Sequence, residues 1–280
     1  MSNLSSIGFI GLGVMGEPMC RNLARKSGSQ VLASDLDEAP LQRLASDKVE
    51  KADIVAIMAR SDVVFLSLPS GEVVAKLCRE TGGLLALVRP GQIVVDLSTS
   101  PVDTTRALEH EFAECGAFFI DAPVARTRAA AEAGTLAVMV GAAPEVFEKV
   151  KPLIATFASD IALCGPVGCG QVLKILNNMV LFETVVAISE AKAIGERSGV
   201  DPVVLFETLS KGSADSFALR NHGMKAVLPG EFPERAFSVK YARKDLMYAL
   251  KLAEDTGVDA RSAKVVDQWF TEAIDAGYGE

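Results

Sequence analysis

The sequence predicts an α/β protein: an N-terminal, doubly wound parallel sheet, then an all-α C-terminal domain, joined by one long helix. Three observations predict it. Short apolar runs alternate with helical patterns from Ile7 to Leu163, the order that produces a parallel sheet with helices on both faces. After Gly170 the strand signal stops and only helical periodicity follows. Between the two regimes, Gly165 to Arg197 contains no proline after Pro166 and far exceeds the mean helix of roughly 11–12 residues. The boundary is therefore placed at Gly165, with residues 1–164 as one domain and 165–280 as the other.

The first element is the apolar run Ile7–Ile10. Gly11-Leu12-Gly13-Val14-Met15-Gly16 follows at once, and Met19, Cys20, Leu23 and Ala24 then keep helical spacing. Strand, glycine turn and helix together make G-x-G-x-x-G informative. The first glycine makes the tight turn, the second lets backbone approach a pyrophosphate, and the third allows close helix–strand packing. The helix start then offers free N–H groups and a positive dipole end to phosphate. This is a Rossmann fingerprint, and it predicts a bound dinucleotide. Val31–Ser34 is the second strand and ends at Asp35, where an acidic residue would hydrogen-bond a ribose 2′-hydroxyl. No arginine follows immediately, and Asp37 and Glu38 add negative charge, so NAD is expected over NADP.

The alternation continues through strands Val63–Ser67, Ile93–Asp96, Phe118–Asp121, Ala137–Val140 and Ile161–Leu163. Helices are expected over Glu72–Cys78, from Pro101 through Cys115, and over Glu145–Phe157. Ligands of such sheets bind outside the carboxyl ends of the strands, where Leu68-Pro69, Ser98-Thr99 and Asp121–Thr127 fall. The second domain reads as helices to Arg197, then Pro202–Leu209, Phe217–Leu228, Val239–Thr256 and Arg261–Ala276.

On the long helix, Lys174 and Asn178 lie four residues apart and Asn177 lies three from Lys174, so they share a face. Leu173, Leu176, Val180 and Leu181 are expected to flank the lysine and partly desolvate it. Desolvation lowers an ammonium pKa, which suits a proton-transfer lysine. A lysine snorkelling at a helix start is the competing reading.

Composition sets outer limits. The 280 residues, 49% hydrophobic and 23% charged, suit a well-cored globular chain of two domains. A net charge of −8 without a basic block argues against a nucleic-acid partner. Cys20, Cys78, Cys115, Cys164 and Cys169 are scattered and contain no C-x-x-C pair, which suggests neither a disulfide framework nor a zinc site; small buried apolar residues are expected instead. His110 and His222 read as ordinary surface or helix residues. No basic leader is seen, and no segment is read as approaching the roughly 20 apolar residues of a membrane span. A cytoplasmic enzyme or binding protein fits.

Several segments together resemble the β-hydroxyacid dehydrogenase family, typified by 3-hydroxyisobutyrate dehydrogenase. They are Gly8–Gly16, Asp96-Leu97-Ser98-Thr99, Asp121-Ala122-Pro123-Val124, Gly168-x-Gly-x-x-x-Lys174-x-x-Asn177-Asn178 and Lys244-Asp245. The resemblance implies NAD(P)-dependent oxidation of a short 3-hydroxy acid or reduction of its semialdehyde, by a homodimer or homotetramer. It implies Lys174 as the catalytic lysine and Asn178 as its positioning partner. Leu68, Pro69 and Thr99 would line the cofactor, Ser98 or Thr99 would approach substrate, and Lys244 would reach the nicotinamide end. Phe237 and Asp245 would close the site; a core aromatic and a solvated helix-start carboxylate are the structural readings of those two. Where the family has Ser-Gly-Gly after Asp-Ala-Pro-Val, this chain has Ala125-Arg126-Thr127. That variant is similar to the sulfolactaldehyde reductase branch, and Arg126 with Thr127 would then clamp a carboxylate or sulfonate through paired charge-assisted bonds. The chain also stops at Gly277-Tyr278-Gly279-Glu280, earlier than the family pattern, which implies a weaker lid or subunit interface. Leu176 stands where 6-phosphogluconate dehydrogenases carry histidine, and Lys174 sets the chain apart from imine reductases. A non-catalytic dinucleotide sensor is the reading from another class, and the lysine argues against it.

Overall fold

The computed structural model describes residues 6–232 and 237–280. It divides into two compact units, Met1–Lys174 and Ile175–Glu280, with the division inside one long helix.

The first unit is built on a nine-stranded sheet. In chain order it contains β1 (Ile7–Ile10), α1 (Gly16–Lys26), β2 (Val31–Ser34), α2 (Glu38–Leu44), β3 (Val49–Lys51), α3 (Ile54–Arg60), β4 (Val63–Leu66), α4 (Gly71–Arg79), α5 (Leu84–Leu87), β5 (Ile93–Asp96), α6 (Val102–Glu114) and β6 (Phe118–Asp121). Then come β7 (Val124–Ala125), α7 (Arg128–Ala133), β8 (Leu136–Gly141), α8 (Pro144–Ile154) and β9 (Ala158–Gly165). The strand order is β3-β2-β1-β4-β5-β6-β8-β7, with β9 beside β8. Strands β1 to β6 are parallel. Their residues are apolar almost throughout because both faces are covered. Phe9 and Phe65 stack at 6.1 Å in the core on one face, while Ile10, Val64 and Leu66 point into a second core on the other.

The sheet departs from the all-parallel expectation at β8, which runs antiparallel to β6 and β7. The segment from Phe118 to Ala125 runs on past the carboxyl edge of the other strands, and the chain returns along it. Gly141 therefore pairs with Asp121, and the parallel partner β9 brings Gly165 beside Gly141. The short edge strands β3 and β7 carry too little pattern to be read from sequence.

The long helix α9 (Cys169–Arg197) begins immediately after this return. It passes the length and hydropathy test for a membrane span, with mean hydropathy 1.5 over its best 18 residues, which corrects the sequence reading. The correction has a simple cause: its few charges are spaced widely enough to leave an apolar window. Its buried row is nevertheless partly polar, since Gln171 and Asn178 alternate with Ile175 and Phe182. The outward row is the apolar one. Leu173, Leu176 and Val180 are 46%, 37% and 55% exposed, so they do not enclose Lys174 as expected.

The second unit adds α10 (Pro202–Leu209), a π-helical segment over Leu219–Val227, α11 (Val239–Asp255) and α12 (Arg261–Asp275). Phe182 packs with Leu246 and Val266, and Ile188 packs with Phe206 and Leu219. The π winding differs from the α-helix expected there. Gly223 sits at its middle, where an added Cβ would lie 3.1 Å from the Phe206 ring and 3.3 Å from Ile188, and Leu228 N–H donates back to Gly223. Cys20 and Cys78 are buried as expected, whereas Cys115 is exposed and Cys164 and Cys169 are half-buried.

Candidate active site

Strand register assembles the first part of the site. Ser34, Ile10, Leu66, Asp96 and Asp121 are consecutive partners across β2, β1, β4, β5 and β6. Each ends its strand, so the loops that follow leave from one edge. Those loops carry Asp35, Gly11–Gly16, Leu68-Pro69 and Ser98-Thr99, which the sequence marked separately, while Ala125–Thr127 lies further on, in and just after β7.

The glycine turn fits a dinucleotide. Gly11 has φ +95°, and a Cβ there would lie 2.3 Å from the Ser67 carbonyl oxygen; a Cβ on Gly16 would lie 2.1 Å from the Gly11 oxygen. Both positions are closed to any side chain. A Cβ on Gly13 would meet nothing within 4 Å, so the middle of the turn is open for a ligand's close approach. Leu12 is buried, while Val14 and Met15 are not. The Asp35 carboxylate accepts hydrogen bonds from the N–H groups of Leu12 and Asp37, which braces the turn against the end of β2. Glu17 lies in the first turn of α1, where a bare carboxylate would oppose a phosphate. Arg43 and Arg21 both bond to it, and the hydrogen bond from Arg43 holds its carboxyl below the usual range.

The loop after β5 is held by buried polar groups: Ser98, Asp96 and Asp121 were marked in the sequence, but their mutual ties and the part of Ser100 and Gln171 were not. Asp96 accepts from Ser98 N–H at 2.9 Å and from the Ser100 hydroxyl at 2.8 Å. The Ser98 hydroxyl accepts from Leu68 N–H at 2.9 Å, so that side chain ties two loops together. Gln171 accepts from Ser100 N–H at 3.0 Å and donates to the Ser98 carbonyl at 2.8 Å. Asp121 accepts from the N–H groups of Gly168 and Gln171, each at 2.7 Å. Burial pushes the Asp121 carboxyl up to about 6, against the pull of those two N–H groups. The available signal was two aspartates closing successive predicted strands. Lys174 follows Gln171 by one helical turn and is half-buried.

Arg126 is placed differently from the expected clamp. Its guanidinium donates to the Thr135 carbonyl at 2.6 Å, to the Ser159 hydroxyl at 3.0 Å and to Asp160 at 2.7 Å. Its φ is +87°, a conformation glycine adopts freely, which is a physical reason for glycine at this place in the family pattern. Thr127 caps α7 by accepting from Ala130 N–H, and Ala125 lies in β7 beside Ala137.

The second unit brings together another group of marked residues. Asn178 donates to Asp245 at 2.8 Å and accepts from Asn177 at 3.2 Å. The other Asp245 oxygen lies 3.2 Å from the Lys244 ammonium. That ammonium lies 5.5 Å from the Tyr241 ring and 5.6 Å from the Tyr248 ring. Asp245 is 3% exposed, so it is not the solvated carboxylate of the structural alternative. Phe237 is exposed and stacks on Phe182 at 6.2 Å. Elsewhere, a cleft of about 300 Å³ between α6 and α8, lined by Glu109, Phe118 and Val146, contains none of these residues. Among the described residues no three His, Cys, Asp or Glu side chains cluster as a metal site.

Comparison with known proteins identifies the family and the fold. Residues 6–165 match the model described as the NAD binding domain of 6-phosphogluconate dehydrogenase. Residues 168–280 match the model described as NAD-binding of NADP-dependent 3-hydroxyisobutyrate dehydrogenase. The chain belongs to the β-hydroxyacid dehydrogenase family. A 2-(hydroxymethyl)glutarate dehydrogenase of Eubacterium barkeri is 34% identical over 100% of this chain and 92% of its own. A 3-hydroxyisobutyrate dehydrogenase of Pseudomonas aeruginosa is 34% identical over 90% of this chain and 86% of its own. Among solved structures, a Mycobacterium tuberculosis 3-hydroxyisobutyrate dehydrogenase with L-serine superposes with TM-score 0.89 at 29% identity, covering 99% of this chain and 96% of that one. Membership makes the chain an oxidoreductase and a nicotinamide dinucleotide its cofactor.

Proposed function

We propose that this family member is an NAD-dependent dehydrogenase of short 3-hydroxy acids, and in reverse a reductase of the matching semialdehydes, with Lys174 as general acid and base. The observation that carries the reading is the in-register row of strand ends, to which Gln171 and Asp121 tie the start of α9 one turn before Lys174. Gly11–Gly16 and the start of α1 hold the pyrophosphate, Asp35 the adenosine ribose, and Leu68, Pro69 and Thr99 the cofactor's flank; on the family pattern Lys244 is the second unit's candidate for the nicotinamide end. When bound, the dinucleotide supplies the hydride acceptor for oxidation and the donor for reduction. Lys174 removes the hydroxyl proton in oxidation and returns it in reduction. A lysine with its ordinary pKa of about 10.4 is a weak base near neutrality, so the role requires the positive nicotinamide ring, which favours the neutral amine. Asn178, one turn further along α9, orients the ammonium, and Asp245 fixes the amide of Asn178. Ser98, Ala125 and Thr127 are the substrate candidates of the first unit, and Phe237 is that of the second. Residues 1–164 serve as the cofactor domain and 165–280 as the substrate domain.

The outward apolar row on α9 supports assembly of the chain into a homodimer or homotetramer, which light scattering on the purified protein tests. The named substrates of the two bacterial relatives both carry a hydroxymethyl group on the carbon that bears a carboxylate, so 2-substituted 3-hydroxypropanoates are the first compounds to assay. Appearance of reduced nicotinamide with at least one of them is expected. Failure across the panel with both NAD and NADP refutes the proposed activity.

A further inference from the structure

The start of α9 is capped from another part of the chain. A helix leaves its first N–H groups without intrahelical partners. A side chain at the residue before the helix usually satisfies one of them. Here that residue is Gly168, which has no side chain to offer. Both the Gly168 and the Gln171 N–H groups instead donate to the two oxygens of Asp121, each at 2.7 Å. These are the two donors that a capping box serves from within one helix, here served by a carboxylate from β6. The space for that carboxylate is shaped by absent side chains. A Cβ on Gly141 would lie 2.2 Å from one Asp121 oxygen, and a Cβ on Gly170 would lie 2.7 Å from the other and 2.2 Å from the Met139 carbonyl. Gln171, fully buried, then joins the same helical turn to Ser98 and Ser100, and Asp96 holds those two residues in turn.

We infer that Asp121 is a positioning residue for the reaction: its carboxylate, with Gln171, fixes the rotation and height of the first turn of α9 and so sets where the Lys174 amine lies above the strand ends. The inference rests on the proposed role of Lys174. Asp121 touches neither cofactor nor substrate in this scheme. Its effect is transmitted over a single helical turn, from a position where each of its oxygens holds one end of that turn.

The test is single-turnover hydride transfer at saturating cofactor and hydroxy acid, comparing the wild type with Asp121→Asn. The amplitude reports how much enzyme is competent, and the rate reports alignment. A positioning role predicts a rate at least tenfold lower, with amplitude and NAD affinity retained. A normal rate with reduced amplitude would show that Asp121 only supports the fold and would overturn the inference, as would a variant equal to wild type in both. Should Asp121→Asn fail to fold, Gln171→Met answers by the same criterion, because it keeps the N–H that Asp121 holds and removes the ties to Ser98 and Ser100. A wild type inactive with every acid and both cofactors would instead sink the functional reading itself, an outcome visible before any variant is made.

Discussion

Arg126 and Asp160 form an ion pair at 2.7 Å within the first unit, and the backbone of Arg126 is left-handed, at φ +87°. That conformation costs a residue with a Cβ about 1–2 kcal/mol, and the bonds to Asp160, Ser159 and Thr135 offset it. A substrate anion taken by this guanidinium would have to compete with Asp160. If it does so, Arg126→Ala raises KM for the acid about tenfold or more, the equivalent of a charge-assisted hydrogen bond of roughly 1.5–3 kcal/mol, and Asp160→Asn lowers it. Sulfonated aldehydes and carboxylic acids should be assayed side by side. An unchanged KM in both variants with both classes leaves Arg126 as a tie of β7 to its neighbours and removes the sulfonate alternative.

Lys174→Ala is expected to lower kcat by about 10²- to 10⁴-fold, the usual contribution of general acid–base catalysis. NAD affinity, measured by fluorescence titration, should stay close to wild type. Turnover within a factor of a few of wild type would rule out the proton-transfer role.

Asp35 both braces the glycine turn and lends it charge. Asp35→Asn keeps much of the first and removes the second. The ratio of kcat/KM for NAD over NADP should therefore fall by about tenfold, near 1.4 kcal/mol. Equal efficiency with the two cofactors in the wild type would contradict the assigned preference.

Asp121 gives stability a definite pH dependence. Its folded pKa, about 6, lies above the 3.8 of an ordinary aspartate, so the neutral form is the one that folding favours. The associated stabilisation is complete below the unfolded value and is lost as pH rises through about 6; it amounts to roughly 3 kcal/mol at about 1.4 kcal/mol per unit. Urea melts at pH 5 and pH 7.5 should show the wild type losing more stability on going to the higher pH than Asp121→Asn does. Parallel losses in the two proteins would refute this.

Much of this was legible in the sequence because it depends on local pattern. Strands β1, β2, β5 and β6 are apolar runs bounded by turn residues, and the register that aligns their ends follows from a parallel sheet buried on both faces. The glycine turn and Asp35 were marked by spacing alone. What escaped depends on distant partners. The reversed direction of β8 is set by its pairing along Phe118–Ala125, and the bonds from Asp121 to Gly168 and Gln171 span a long stretch of chain. The row of α9 that faces inward was misjudged for a related reason. Its leucines and valines suggested a buried stripe, but the polar side chains of Gln171 and Asn178 have internal partners, and that leaves the apolar row outside. Arg126 looked like a free anion site because Asp160 is remote in sequence.

The backward course of β8 has a consequence for how this chain tolerates changes in length. The stretch from Leu136 to Gly170 acts as a ruler: it starts where the returning strand first pairs and stops at the carboxylate that seats the lysine helix. One residue added within β8 or β9 would advance the chain by about 3.3 Å and turn each following side chain to the opposite face, whereas an addition before Leu136 would leave that measured distance intact.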